Sequence, residues 1–222
     1  NLVGGVMDGV QMAAGLNVVA EQVDGVQLSG GANLARDVSG AQIAPLNVAG
    51  GHVDGVQIGV VNVARTSDFS LGVVNVILEG RTHIDLTVDE LSLGTVTFKH
   101  GGAGFHYLYS LGVRPGPYPA LQPSVGIGGH REWRRLFVDT DVTTGQLFEW
   151  DGHPGLNLRT TGRLLAGLSL TERIAIIGGP SYNVLVSDAC GPKYAGPGVA
   201  VFSPGPVRVQ GWPGFVVGVE LL

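Results

Sequence analysis

The chain is predicted to be all-β: an N-terminal β-repeat, solenoid-like segment followed by an antiparallel, roughly eight-stranded barrel. Three observations predict this. A glycine-led motif recurs through the first third of the chain. Long alternating segments separated by Gly/Pro clusters fill the remainder. Glycine, at 37 of 222 residues, is far above ordinary usage and disfavours helix throughout.

The repeat comes first. Gly9-Val10-Gln11-Met12 returns as Gly25-Val26-Gln27-Leu28, Gly40-Ala41-Gln42-Ile43 and Gly55-Val56-Gln57-Ile58, at spacings of 16, 15 and 15 residues. An asparagine with an apolar neighbour follows each glycine, at Asn17-Val18, Asn33-Leu34, Asn47-Val48 and Asn62-Val63, and a degenerate fifth unit contains Asn75. Asn1 and Asp8 lie 16 residues before Asn17 and Asp24. The chain therefore opens in the second half of a repeat, and further sequence is expected upstream.

Val56 and Ile58, then Val61 and Val63, alternate in two short runs with a change of phase, which reads as two short strands and a bend per unit. Two arrangements fit. In a β-solenoid each unit is one coil, and equivalent residues stack about 4.8 Å apart. In an antiparallel meander each unit is a strand and its turn. Repetition at one unit favours the solenoid, because up-and-down strands would send equal residues to opposite ends. The solenoid predicts structural ladders of Asn17, Asn33, Asn47, Asn62 and Asn75 and of Gln11, Gln27, Gln42 and Gln57. Asp24, Asp54 and Asp68 are too sparse for a calcium-binding repeat. Pro45 cannot donate to a ladder, so the strand is expected to break or bulge there.

The composition shifts near residue 95: of 15 aromatic residues only Phe69 precedes Phe98. We therefore divide the chain into a repeat segment at 1–80, a transition at 81–95 and a barrel-like domain at 96–222. Strands are expected near 86–99, 103–113, 121–130, 134–142, 145–150, 157–169, 172–187 and 210–222. Leu158, Leu164, Ala166 and Leu168 share one strand face, opposite Arg159, Thr161 and Arg163. Residues 174–187 and 209–219 carry no charged side chain on either face. That pattern matches an outer-membrane barrel, with Tyr107, Tyr109, Trp133, Trp150 and Trp212 as candidate interfacial aromatics. A water-soluble sandwich is the competing arrangement.

Composition excludes other classes. Apolar content of 44% with a net charge of −5 opposes disorder. Thirteen basic against 18 acidic residues, with no basic run beyond Arg134–Arg135, gives no nucleic-acid footprint. Cys190 is the only cysteine, so no intrachain disulfide forms.

Candidate chemistry is thin. No histidine pair has a metal-binding spacing such as His-x-x-x-His, and no cofactor motif occurs. His106 and Ser110 share a strand face but stand about 13 Å apart along it, too far to form a nucleophile–base pair. His130, Glu132 and Trp133 read as a loop cluster. Residues 188–209, around Cys190, are the expected contact loop. No catalytic, cofactor-binding or metal-binding residue is assigned.

The run Gly55-Val-Gln-Ile-Gly-Val-Val-Asn-Val-Ala64 resembles the Leptospira-type surface-repeat family of bacterial envelope proteins, over about residues 9–78. The C-terminal part, with Gly179-Pro-Ser-Tyr182 and Trp212-Pro-Gly-Phe215, is similar to small outer-membrane β-barrels. Ala44-Pro45 departs from the repeat's usual Gly and Leu. The resemblance implies an envelope location and carries no activity or site residue across; we expect a non-enzymatic protein of the outer membrane or cell surface with a structural, adhesive or assembly role. An outer-membrane pore is the alternative, and a lipid-modifying barrel enzyme a lesser one. Partners expected are further copies of the chain, other envelope proteins and outer-membrane lipid, with no nucleic acid.

Overall fold

The computed structural model describes residues 1–91, 94–102, 104–116, 119–150, 155–188, 200–202 and 207–222. Every regular element in them is a strand. Two compact units result, one of Asn1–Arg81 with His100–Phe105, the other of Thr82–Lys99 with His106–Leu222. Cys190 and most of the 188–209 loop lie outside the described residues.

The first unit is a parallel solenoid. Its strands are β1 (Leu2–Val3), β2 (Met7–Ala13), β3 (Leu16–Val19), β4 (Gln22–Ser29), β5 (Ala32–Ala35), β6 (Asp37–Ile43), β7 (Leu46–Ile58), β8 (Val61–Leu71) and β9 (Val74–Ile77). All pairings are parallel, and each strand stacks on its equivalent one repeat away: β2 on β4 and β4 on β6, β3 on β5 and β5 on β7. The register aligns Gly9, Gly25, Gly40 and Gly55, then Gln11, Gln27, Gln42 and Gln57, then Asn17, Asn33, Asn47, Asn62 and Asn75. One-coil repetition requires parallel stacking, since only translation superposes equal residues.

The aligned glycines are a backbone requirement. Gly25, Gly40 and Gly55 have φ of +136°, +131° and +135°, and an added Cβ would come within 2.1 Å of the preceding glycine's carbonyl oxygen. An L side chain fails there on both counts. Inside the coils Met7, Val19, Val23, Val38, Ala49, Val53, Ala64 and Ile77 form the apolar core. Met12, Leu28, Ile43 and Ile58, which flank the glutamines, are exposed instead. Hydrophobic alternation is thus inverted on this face: the amide is inside and the aliphatic outside. Pro45 lies in the corner between β6 and β7, and its carbonyl accepts from the amides of Val60 and Val61 at 3.0 and 2.9 Å.

The second unit is a closed eight-stranded antiparallel barrel. Its staves are β10 (Arg81–Asp89), β11 (Gly94–Gly101), β12 (Phe105–Arg114), β13 (Ala120–Trp133), β14 (Leu136–Gln146), β16 (Asn157–Ser169), β17 (Ile174–Asp188) and β19 (Val207–Leu221). Two short strands, β15 (Phe148–Glu149) and β18 (Ala200–Phe202), pair with β13 and β19. Pairing of β10 with β19, from Ile84 against Leu221 to Asp89 against Val216, closes the ring.

The eight staves are not all those the sequence suggests. The 81–95 segment, expected as a transition, supplies β10. The stretch read as one strand near 86–99 is two staves, and the strand expected at 145–150 is reduced to the two-residue β15. The errors offset because turn residues, not alternation, separate β10 from β11: both flanks share one phase.

Candidate functional site

The barrel places its charges inward and its aliphatic residues outward. On β10, Asp85 and Thr87 are buried while Ile84, Leu86 and Val88 are exposed. On β16, Arg159, Thr161 and Arg163 are buried opposite exposed Leu158, Leu164 and Leu168. On β19, Glu220 and Trp212 are fully buried while Phe215, Val217 and Leu221 are exposed.

Two polar networks fill the interior. In the first, Lys99 Nζ lies 3.0 Å from Asp85 Oδ2, 2.5 Å from Asp139 Oδ2 and 2.9 Å from Glu220 Oε2. Arg163 Nε donates to Asp141 Oδ2 at 2.9 Å. Three imidazoles complete it: His83 against Glu220 at 3.2 Å, His106 against Asp141 at 2.8 Å and His130 against Asp139 at 2.7 Å. Gly128, opposite Asp141 in the β13–β14 register, makes space for this pair: a Cβ there would fall 2.0 Å from Asp141 Oδ1 and 2.4 Å from His106 Nε2. Charges this deep persist only when paired.

The second network centres on Arg159 and Glu90. Arg159 Nη1 lies 2.7 Å from Asp89 Oδ2, and its Nη2 donates to Asn183 Oδ1 at 2.8 Å. Glu90 Oε1 accepts from Asn183 Nδ2 and from the Trp212 indole, each at 2.8 Å. Trp212 packs with Leu91, Ala120, Leu147 and Leu185. A polar cavity of about 40 Å³ remains beside Thr87, Asp89, Ser110, Arg159 and Arg163, space for a few waters.

Several expectations change here. Trp212 is an interior residue and leaves the outward aromatic set; Tyr107 is on the outward phase of β12 but buried, while Tyr109, Trp133 and Trp150 are exposed. His130 stands on β13 facing the interior, not in a loop. His106 and Ser110 both point inward but engage different partners, Asp141 and, at 2.9 Å, Thr97. His106, Asp139 and Asp141 bring ligand-type atoms within 4.8 Å of one another, yet Lys99 and Arg163 already occupy the carboxylates. Sequence reasoning missed Asp85, Lys99, Asp139, Asp141 and Glu220. A signal existed: Asp139 and Asp141, and likewise Arg159 and Arg163, share a strand face opposite aliphatic residues.

In the solenoid the expected amide residues stack. Asn1, Asn17, Asn33, Asn47 and Asn62 each donate from Nδ2 to Oδ1 of the next asparagine, at 2.9, 3.0, 3.1, 2.9 and 2.7 Å. The glutamines run the opposite way. Gln27, Gln42 and Gln57 donate from Nε2 to Oε1 of the preceding glutamine, at 2.9, 2.8 and 2.9 Å. Asn47 Nδ2 also serves the carbonyls of Ala44 and Ile58, so the ladder satisfies corner backbone as well. These side chains tie successive coils together in register. No family model matches the sequence, and no curated protein matches it.

Proposed function

We propose that the protein is a non-enzymatic component of a bacterial cell envelope, with its barrel embedded in a lipid bilayer and its repeat domain serving assembly. One observation carries the reading: the barrel is inside-out. Ion pairs fill its interior, and Ile84, Leu86, Val96, Leu111, Val125, Val142, Leu164, Ile176 and Val217 form an outward apolar surface. Each such side chain contributes about 1.5–3 kcal/mol when removed from water. A water-soluble barrel would have the reverse distribution, whereas lipid favours this one.

Closure supports the same reading, because a ring leaves no unpaired edge in hydrocarbon. The packed interior favours a structural role over an open pore, since the polar cavity beside Arg159 is only about 40 Å³. A structural role also agrees with the separation of His106 and Ser110 onto different partners. The envelope location is what the repeat's resemblance to surface-repeat proteins implies.

Membrane fractionation with heat-modifiability on a gel tests the proposal. A band in the bilayer fraction whose mobility shifts on boiling is expected. Recovery of folded protein from the aqueous fraction without detergent would overturn it. Planar bilayers containing the protein should stay silent, and stepwise conductance would replace the structural role with a pore.

A further inference from the structure

His106 on β12 and Asp139 and Asp141 on β14 each bring one ligand-type atom within 4.8 Å of the others, and all three are buried. They come from strands that are not neighbours. β13 lies between β12 and β14, and its residue opposite Asp141 is Gly128. A Cβ at 128 would stand 2.0 Å from Asp141 Oδ1 and 2.4 Å from His106 Nε2. The imidazole therefore reaches the carboxylate through space that any side chain at 128 would fill. Two residues on, His130 stands opposite Asp139 in the same ladder, with its Nδ1 2.7 Å from Asp139 Oδ1.

The carboxylates keep coordinating capacity. An ionised carboxylate has about four lone-pair sites. Asp139 uses one on each oxygen, toward His130 and Lys99. Asp141 likewise uses one on each, toward His106 and Arg163. Lys99 and Arg163 thus hold a single oxygen apiece, and outer contacts of this kind fix the aim of ligating carboxylates. The spacing suits a metal as well. Two ligands on a tetrahedral zinc ion, with bonds of about 2.1 Å, stand about 3.4 Å apart. His106 Nε2 and Asp141 Oδ1 are 2.8 Å apart, so admitting the ion needs this pair to open by about 0.6 Å.

Charge points the same way. The network around Lys99 holds four carboxylates, Asp85, Asp139, Asp141 and Glu220, against two permanent cations, Lys99 and Arg163. With neutral imidazoles two negative charges are left over, at depths where charge persists only when compensated. Asp85 Oδ1, buried with no hydrogen-bond donor, shows the same surplus of acceptors.

We propose that His106, Asp139 and Asp141 bind one divalent transition-metal ion, zinc by preference, as a structural clip that joins β12 to β14 across β13. His106 binds through Nε2, with its proton on Nδ1, and each aspartate supplies one oxygen. Lys99, Arg163 and His130 orient the two carboxylates from outside the ligand set. An imidazole among the ligands selects zinc over calcium and magnesium, whose sites are built from oxygen. The two positive charges of the ion match the two left over in the network. The proposal uses neither the barrel's placement in lipid nor the role of the repeat domain.

The test refolds the full chain from urea, in detergent micelles and in plain buffer, with zinc in slight excess. Gel filtration removes unbound metal, and mass spectrometry measures what remains. About one zinc per chain is expected. His106→Ala and Asp141→Asn should lose it. His83→Ala, which removes an imidazole of the same interior outside the cluster, should retain it. The heat-sensitive gel shift shows which variants have folded. X-ray absorption at the zinc edge reads the ligand set of the unmodified chain without any variant, and a single imidazole with oxygen ligands is expected. Failure of the folded chain to retain zinc would overturn the proposal and leave protons as the source of neutrality. Equal loading of folded His106→Ala, or a zinc shell with no imidazole or more than one, would overturn it too. Partitioning of the barrel into lipid is measured separately, so either reading can fail while the other stands.

Discussion

Lys99 Nζ donates to Glu220 Oε2 at 2.9 Å, joining residues 121 apart in sequence inside the barrel. The same ammonium meets Asp85 and Asp139, so one lysine bridges carboxylates from three staves. Asp85 on β10 and Glu220 on β19 are direct partners across the seam where the ring closes, and Glu220 pairs with Ala175 of β17 on its other side. The buried cation therefore holds the closure that removes the sheet's edges.

Removing it should open the seam. Lys99→Met leaves three buried carboxylates without their shared cation, and we expect a loss of at least about 3–5 kcal/mol. Urea unfolding in lipid vesicles, followed by the heat-sensitive gel shift, measures it. A variant as stable as the parent would remove Lys99 from this role.

Outward positions answer to the solvent around the barrel. Leu164, at the middle of β16, is exposed on its outer face. Leu164→Arg should cost about 2–4 kcal/mol in vesicles if that face contacts hydrocarbon. In water a surface change of this kind stays within about 0.5 kcal/mol. Unfolding free energies of the two proteins in vesicles decide between these values.

The glycine column yields a graded series in the repeat domain. Gly40→Ala meets both a φ of +131° and a carbonyl 2.1 Å from the new Cβ, and should destabilise the solenoid by more than about 2 kcal/mol. Gly9→Ala meets a φ of +102° but no atom within 4 Å, so its cost should be smaller. Gly50→Ala meets neither and should be near neutral. Amide exchange of the valines at 23, 38 and 53 ranks the three variants.

Within the asparagine ladder, position along the stack sets the cost. Asn47→Ala removes the ladder donor to Asn62 Oδ1, the ladder acceptor of Asn33 and the side-chain bonds to the carbonyls of Ala44 and Ile58, and we expect a loss of about 2–4 kcal/mol. Asn75→Ala, at the end of the stack, removes one ladder acceptor and one corner bond and should cost about half as much. Chemical denaturation of the full chain, read through exchange in β5 and β7, compares them.

Much of the solenoid is legible from residue spacing. Gln27 and Gln42 recur at one repeat length, and parallel stacking is the arrangement that brings them within hydrogen-bond reach. The barrel is legible only in outline. Strict alternation identifies β16 and its two faces, but an alternating strand reads the same whichever face points inward, so Arg159 and Arg163 could equally have met water. Trp212 shows the difficulty in one residue: its ring type suggests an interface, while its phase on β19 carries it inward to Glu90.

The amino-acid sequence alone determined that the main chain satisfies itself by strand pairing, that equal residues stack in the first third, and that period-two staves fill the rest. These follow from local periodicity, which needs no distant partner. Only the tertiary structure decided which face of each stave is interior, which carboxylates meet Lys99, and in which direction each amide ladder runs. Those depend on the direction of ring closure and on contacts between residues far apart in the chain, and a one-dimensional pattern carries no information about either.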